Sequence, residues 1–166
     1  GYRYFVVDKE RDEEGKIISS TYIREMLADG NIIKANKLLG YYYFVTGTVQ
    51  HGNAIGHTKL YPTANLIPPA VKHLPKFGVY VTRVTVDGKT YGGLTNVGAK
   101  PTISGENPVG VETYLYNFEG DLYGKDMKVE LLDFVRPEMK FESIDALKAQ
   151  LDHDIKECQR RYLEFA

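Results

Sequence analysis

The sequence predicts a mainly β fold: an antiparallel barrel of five or six strands with a C-terminal helix and short N-terminal helices. From residue 41 onward, bulky and β-branched residues alternate with smaller or polar ones, a pattern typical of strands. Short turn signals separate these segments, so neighbouring strands are expected to pair as antiparallel hairpins. Five or six such strands tend to close into a barrel, because closure removes unpaired edges. Thirteen Tyr, seven Phe and sixteen Gly among 166 residues fit this class.

The first forty residues predict one strand and two helices. Residues 2–8 alternate bulky and β-branched side chains like a strand, and a charged turn follows. An apolar helical pattern then begins with Ser20 or Thr21 as its N-cap. A second short helix is predicted over 31–39, because Gly40 stands where a C-cap glycine is expected.

The remaining elements follow from residue 41 to the end. Strands are predicted over residues 43–49, 78–86, 89–95, 111–118 and 128–135. Asp87-Gly88 is a strong signal for a two-residue hairpin turn. Ser143 is expected to cap a C-terminal helix that begins with residues 144–151 and whose apolar positions continue to Cys158. The apolar stripe of this helix is expected to pack on the barrel and comprises Ile144, Leu147, Leu151, Ile155 and Cys158.

Composition argues against several classes of partner and site. A net charge of −1 gives no long-range attraction for nucleic-acid backbones. The single cysteine, Cys158, excludes an internal disulfide and a cysteine zinc cluster, and it fits a reducing compartment. No apolar run approaches the ~18 residues of a membrane span, and the first residues lack a signal-peptide pattern. We therefore expect a cytoplasmic protein without nucleic-acid or membrane partners.

A glycine-rich segment followed by Pro-Thr-Ala-Asn is the main candidate for chemistry. Gly47, Gly52 and Gly56 allow tight turns whose backbone N–H groups could hold an anion. This segment predicts contacts with phosphate groups. The alternative is an ordinary turn between two strands, which Gly, Pro, Thr and Asn also favour.

The closing residues of this segment predict a cation site. Pro62 fixes its own φ, and Thr63 and Asn65 stand two residues apart on an extended segment. Their side chains should therefore point to the same face and offer two oxygen atoms to one hard cation such as Mg²⁺.

Five blocks in chain order resemble the signature of riboflavin kinases. They are the glycine-rich loop with Pro62 to Asn65, Asn96 to Gly98 with Pro101-Thr102, Glu112, Asp121 to Lys125, and Arg136 to Glu138 with Phe141. The resemblance implies a six-stranded antiparallel Greek-key barrel that phosphorylates riboflavin at the ribityl 5′-hydroxyl. The products would be FMN and ADP, with ATP and Mg²⁺ required.

The resemblance also implies roles for individual residues. Glu112 would be the catalytic base. The residues expected to contact ATP are Gly52, Gly56, Pro62, Thr63 and Asn65, and the last two would also bind the metal. The residues expected to contact flavin are Asn96, Leu115, Asn117 and Arg136. Asn96 and Gly98 could instead form a structural turn, and Arg136 could instead pair with a carboxylate on the barrel rim.

The motif Ile18 to Arg24 is similar to the last motif of a nucleotidyltransferase domain, as found in bacterial enzymes that make both FMN and FAD. We therefore expect residues 1–40 to be the end of such a domain with a linker helix, and residues 41–166 to be the kinase. An adenylyltransferase domain would precede this segment in the native chain. No paired histidines occur before residue 17, so FAD synthesis is not expected from this chain alone.

Departures from the family pattern leave an alternative function open. Leu60-Tyr61 stands where family members carry Gly and an aromatic residue, and a Leu adopts φ > 0 only at a cost. The alternative is a catalytically weak flavin-binding or regulatory module. An oligonucleotide-binding barrel is a third possibility, which the near-neutral charge opposes.

Overall fold

The computed structural model describes residues 2–50, 63–99 and 109–165, which contain six strands and three helices. The strands are β1 (Phe44–Thr48), β2 (Ala64–Leu66), β3 (Gly78–Val86), β4 (Lys89–Ala99), β5 (Val109–Leu115) and β6 (Asp126–Pro137). The helices are α1 (Ser20–Asp29), α2 (Ile32–Leu39) and α3 (Ile144–Tyr162). None of these helices is long and apolar enough to cross a membrane.

The six strands form one antiparallel sheet in the order β1-β6-β3-β4-β5-β2. Its two outer strands approach each other, because the N–H of Gln50, just after β1, donates to the carbonyl oxygen of Asn65 in β2 at 2.9 Å. The sheet is therefore a nearly closed barrel, and the predicted fold class is confirmed.

The β3–β4 hairpin confirms one prediction and corrects another. Asp87 and Gly88 have φ of 50° and 72°, as a two-residue hairpin turn requires. Strand β4, however, runs four residues beyond its predicted end. Asn96 and Gly98 lie within it, paired with β5, and neither has a positive φ. The alternative of a structural turn at these two residues is wrong, because pairing with β5 keeps the segment extended.

The inner face of the barrel holds the main hydrophobic core. Strand β5 alternates as predicted, with Val111, Thr113 and Leu115 facing inward and buried. Three buried hydroxyls bridge neighbouring strands within this core. The Oγ1 atoms of Thr82 and Thr95 lie 2.9 Å apart, and those of Thr95 and Thr113 lie 2.8 Å apart. Each of these three threonine hydroxyls therefore has a hydrogen-bond partner.

The N-terminal helices form where predicted, but the first begins with a different cap. The Oγ of Ser19, rather than Ser20 or Thr21, accepts the N–H of Tyr22 at 3.2 Å. Gly40 ends α2 with φ of 75°, which confirms the predicted C-cap. The predicted strand over residues 2–8 is wrong, because this segment is exposed and pairs with no strand in the described part of the chain.

Helix α2 is joined to the barrel through Asn36, which is 8 % exposed. Its Nδ2 donates to the carbonyl oxygen of Leu131 in β6 at 2.8 Å, and its Oδ1 accepts the N–H of Tyr43 at 2.7 Å. The side chains of Leu27, Ile32 and Ala35 enter the barrel core. The helical pair and the barrel therefore share one core.

Helix α3 packs on the outer face of β3, β4 and β6. Ser143 caps it as predicted, with its Oγ accepting the N–H of Ala146 at 3.1 Å. The helix runs to Tyr162, four residues beyond Cys158, the last position of its predicted apolar stripe. Cys158 is buried, whereas Ile144 is 51 % exposed. The first position of the predicted apolar stripe is therefore not packed. The buried residues of α3, Asp154 and Cys158, lie in its later turns.

Replacing Asn36 tests the link between α2 and the barrel. Asn36→Ala should lower the free energy of unfolding by roughly 2–3 kcal/mol, because it leaves a buried N–H and a buried carbonyl without partners. Urea denaturation measures the change. The neighbouring exposed Lys37→Ala is the matched control and should cost less than about 1 kcal/mol. Equal effects of the two substitutions would contradict this assignment.

The thiol of Cys158 tests the packing of α3. Burial raises the pKa of this thiol to about 12, so the reactive thiolate is scarce near neutral pH. We expect the folded protein at about pH 8 to resist a thiol-specific reagent, and the urea-unfolded chain to react fully. Rapid labelling of the folded protein would show that α3 does not hold Cys158 against the barrel.

Candidate active site

Three polar residues lie side by side on neighbouring strands. In the strand register, Glu112 of β5 pairs with Asn65 of β2 on one side and with Asn96 of β4 on the other. Directly paired residues share a face of the sheet. Because Val111 and Thr113 face the barrel core, Asn65, Glu112 and Asn96 project from the outer face.

A direct hydrogen bond joins the predicted base to the predicted metal ligand. The Oγ1 of Thr63 donates to the Oε1 of Glu112 at 2.6 Å, and both side chains are half-buried. This length is typical of a hydroxyl bonded to a carboxylate. Thr63 precedes Asn65 by two residues, so both side chains lie on the Glu112 face. The structure thus brings together a hydroxyl, a carboxamide and a carboxylate from distant parts of the chain.

The chemistry of these groups fits a magnesium ion that arrives with phosphates. The Thr63 hydroxyl donates its hydrogen bond to Glu112, so the lone pairs of its oxygen stay available, and Asn65 carries a carboxamide oxygen. Mg²⁺ binds few protein oxygens and completes its coordination with water and substrate phosphates. In the described ranges, no group of three or more His, Cys, Asp or Glu could hold a metal without such help.

Other predicted site residues lie outside the described part of the chain. Gly52, Gly56 and Pro62 belong to this group, and so does the Leu60-Tyr61 departure. Their proposed contacts with ATP stay predictions.

Arg136 continues the row of paired residues but is held by α3. Val79 of β3 pairs with both Asn96 and Arg136. The guanidinium of Arg136 donates to the carboxylate of Asp154, from Nε at 3.0 and 3.1 Å and from Nη2 at 2.6 Å. Gln150 donates to the same carboxylate at 2.8 Å. Asp154 is 1 % exposed, so this is a buried ion pair. Arg136 therefore forms an ion pair, as in the alternative, but its partner carboxylate lies on α3 and not on the barrel rim.

The sequence analysis did not identify Asp154 as the partner of Arg136. One signal was present: Asp154 stands four residues after Gln150 and four before Cys158, so it falls on the buried side of α3. A carboxylate at such a position needs a cationic partner.

Of the other two predicted flavin contacts, Leu115 is not on the Glu112 face and Asn117 lies beyond the end of β5. The side chain of Leu115 is 5 % exposed and belongs to the barrel core. Contact between Leu115 and a ligand on the outer face would therefore require main-chain atoms. Asn117 lies exposed, two residues beyond β5, with φ of 54°. A positive φ is tolerated well by Asn, so a turn explains this residue type.

Sequence comparison identifies the family. A model of the riboflavin kinase (flavokinase) family matches residues 39–162. The chain belongs to this family. Among its relatives, a bifunctional riboflavin kinase/FMN adenylyltransferase of Listeria monocytogenes is 38% identical over 149 residues, which are 90% of this chain and 47% of that protein. An enzyme of the same name from Escherichia coli is 40% identical over 143 residues, 86% of this chain and 45% of that protein.

Solved structures agree with the fold. A Streptococcus pneumoniae protein named macrolide-efflux protein matches with a TM-score of 0.82 and 40% identity, over 92% of this chain and 50% of that one. The riboflavin kinase of Trypanosoma brucei matches with a TM-score of 0.52 and 22% identity, over 71% of this chain and 75% of that one, which supports the fold alone. The chain spans about half the length of the bifunctional relatives.

Replacing Asp154 tests the buried ion pair. Asp154→Ala should destabilise the protein by about 3–5 kcal/mol, because the guanidinium of Arg136 would stay largely buried without its counter-charge. Urea denaturation is the measurement. Lys156→Ala, an exposed position on the same helix, should change stability by less than about 0.5 kcal/mol. A loss from Asp154→Ala as small as this control would mean that the pair does not hold α3 in place.

Proposed function

We propose that this chain transfers the γ-phosphoryl group of ATP to the ribityl 5′-hydroxyl of riboflavin, with FMN and ADP as products. The observation that carries the proposal is the hydrogen bond between Thr63 and Glu112, with Asn65 beside them on the same face. Membership of the riboflavin kinase family supports the choice of substrate.

Glu112 acts as the general base in this proposal. Its carboxylate takes the proton of the 5′-hydroxyl as that oxygen bonds to the γ-phosphorus, and the bond from phosphorus to the departing ADP oxygen breaks. The hydrogen bond from Thr63 fixes the orientation of the carboxylate before substrate arrives. Positioning of this kind supplies much of the catalysis in phosphoryl transfer.

Thr63 and Asn65 would hold Mg²⁺ together with the nucleotide phosphates. The ion would neutralise charge that builds up on the phosphate oxygens. The loop containing Gly52, Gly56 and Pro62 is proposed to contact those phosphates. Asn96 is proposed to face riboflavin because it lies directly beside Glu112 in the sheet. Arg136 is proposed to border the same side, with its guanidinium fixed by Asp154.

The wider context of the chain is part of the proposal. The bifunctional names of the relatives support an adenylyltransferase domain preceding this segment in the native protein. We propose that residues 1–40 end that domain, that residues 41–166 form the kinase, and that this chain alone does not make FAD. We further propose a cytoplasmic location and no nucleic-acid partner, in line with the net charge of −1.

Glu112→Gln tests the proposed base. The amide keeps an oxygen that can accept the Thr63 hydrogen bond but loses the capacity to take a proton. We expect kcat for FMN formation from riboflavin, ATP and Mg²⁺ to fall by about 10²–10⁴-fold, with riboflavin affinity nearly unchanged. FMN is quantified by chromatography and riboflavin binding by fluorescence.

The matched control is Glu119→Gln, an exposed glutamate in the β5–β6 turn, which should leave kcat unchanged. A Glu112→Gln variant with near-normal kcat would remove Glu112 from its assigned role. A wild-type chain that binds riboflavin tightly and forms no FMN at high ATP would indicate a flavin-binding module instead of a kinase.

A further inference from the structure

Three threonine hydroxyls form a row through the apolar core, on the face of the sheet opposite the candidate active site. Thr82 of β3, Thr95 of β4 and Thr113 of β5 are each 0 % exposed, and hydrogen bonds of 2.9 and 2.8 Å join their Oγ1 atoms. Thr95 is the central member, because it bonds to both of the others. We call this row the threonine ladder. Thr113 follows Glu112 directly, so the ladder ends on the strand that carries the proposed base.

Apolar burial alone does not explain these hydroxyls. Valine has nearly the shape of threonine and carries a methyl group in place of the hydroxyl, whereas a buried hydroxyl destabilises the fold unless it finds a partner. A fully satisfied polar network inside an apolar core can specify one arrangement of the chain, since the alternatives leave its members unpaired. The ladder therefore has the properties of a group that selects one arrangement of the strands.

A glycine makes room for the threonine ladder. Gly93 lies inside β4, on the same face as Thr95, and has no positive φ. A Cβ at Gly93 would lie 3.1 Å from the Oγ1 of Thr82 and 3.3 Å from the Cγ2 of Thr113. It would also lie 2.9 Å from the carbonyl oxygen of Tyr114. A side chain at this position would therefore crowd both outer members of the ladder.

The register between β4 and β5 is not fixed by a short turn. Two residues connect β3 to β4, whereas nine residues, 100–108, connect β4 to β5. The entropy of closing a connection of this length changes little when it gains or loses two residues. A shift of one residue would reverse the faces of β5, so apolar burial excludes it, but a shift of two residues keeps each inward side chain inward. Another interaction must select among the registers that differ by two residues.

The threonine ladder distinguishes these registers. In the observed register, Thr113 lies directly opposite Thr95. A shift of two residues would place Thr113 opposite Gly93 or Val97, neither of which has a side chain that forms hydrogen bonds. Among the three registers, the observed one alone places Thr113 directly opposite a hydroxyl. Loss of that partner inside an apolar core is destabilising.

The same shift would displace the proposed base. Glu112 would lie two residues away from its present partner, Asn96. Strand β2 could follow β5 only by breaking its hydrogen bond with Gln50. If β2 stayed in place, Glu112 would move away from Thr63. The register that the ladder favours is therefore the one that assembles the candidate site.

We propose that the threonine ladder fixes β5 in the register that places Glu112 beside Thr63, and that Thr82, Thr95 and Thr113 are positioning residues for the phosphoryl transfer. This inference rests on the proposed function of Glu112. The three threonines contact neither riboflavin nor ATP, because they are fully buried inside the barrel. They act on the reaction through the position of the strand that carries the base.

Valine substitutions test the ladder, because they remove hydroxyls and keep the shape of the side chains. Thr95→Val removes both hydrogen bonds and leaves two buried hydroxyls unpaired, so it should lower the midpoint of thermal unfolding. The triple variant Thr82→Val/Thr95→Val/Thr113→Val leaves no hydroxyl of the ladder unpaired and should unfold near the wild-type temperature. Thr95→Ser, which keeps the hydroxyl, is the matched control and should keep a near-wild-type kcat.

Two measurements on the stable triple variant separate positioning from stability. The kcat for FMN formation should fall at least about tenfold, because a small displacement of a catalytic group is costly. Cross-strand nuclear Overhauser effects report the register directly. In the wild type they should join Glu112 to Asn96, and in the triple variant they should also join Glu112 to Leu94 or Gly98.

The inference holds only if both kcat and the register of β5 change in the triple variant. A wild-type kcat, or contacts of Glu112 with Asn96 alone, would show that the ladder is ordinary core packing and would overturn the inference. A Thr95→Ser variant with a kcat as low as that of the triple variant would assign the effect to the lost methyl group, which would also overturn it.

Failure of the kinase function is distinguishable from failure of this inference, because the register measurement needs no substrate. A wild-type chain that forms no FMN would refute the proposed function. A shifted register in the triple variant would then still support the assignment of the ladder to β5, and an unshifted register would overturn it.

Discussion

The pairing of the short strand β2 with β5 is the constraint on which the candidate site depends. It is set by only three residue pairs, and one of them places Asn65 opposite Glu112. A slip of one residue would turn the side chains of β2 to the other face, so Thr63 and Asn65 would enter the barrel and Ala64 and Leu66 would leave it. The burial of Ala64 and Leu66 in the core therefore selects the register that puts the polar pair beside the carboxylate.

The contacts of β2 that close the barrel also place the polar residues of the candidate site. Strand β2 is fixed on one side by β5 and on the other by the bond from Gln50 to Asn65. The inner face supplies apolar burial, which is the main stabilising term of the fold. The outer face of the sheet has two parts. Helix α3 packs over β3, β4 and β6, whereas the polar residues of the candidate site lie on β2, on β5 and at Asn96 of β4.

Local sequence patterns predicted most of the fold, because the signals involved are local. The alternating pattern predicted β3 with the same bounds that the structure shows. Asp87-Gly88 predicted the turn that follows β3, and Gly40 predicted the end of α2. The pattern over residues 2–8 is equally strand-like, yet it finds no partner in the described chain. An alternating pattern shows that a segment can form a strand. Whether it does so depends on a neighbouring strand with which it can pair.

The site was predictable in its residue types but not in its contacts. Thr63 and Glu112 are 49 residues apart, and no spacing rule predicts that one donates to the other. Their meeting follows from the β2–β5 register, which is tertiary information. The same holds for Arg136, whose partner Asp154 lies on a helix whose orientation the sequence does not specify. The order of residue types along the chain indicated which chemistry to expect. The positions of these residues relative to one another depend on strand pairing.

The central claim is that Thr63 and Glu112 work as one unit in phosphoryl transfer. A double-mutant cycle on kcat for FMN formation tests it, with Thr63→Val, Glu112→Gln and the combined variant. Residues that act as a unit give strongly non-additive losses. We expect the combined variant to be within about tenfold of the slower single variant. A combined loss equal to the product of the two single losses would show that the two residues act independently, and would contradict the account.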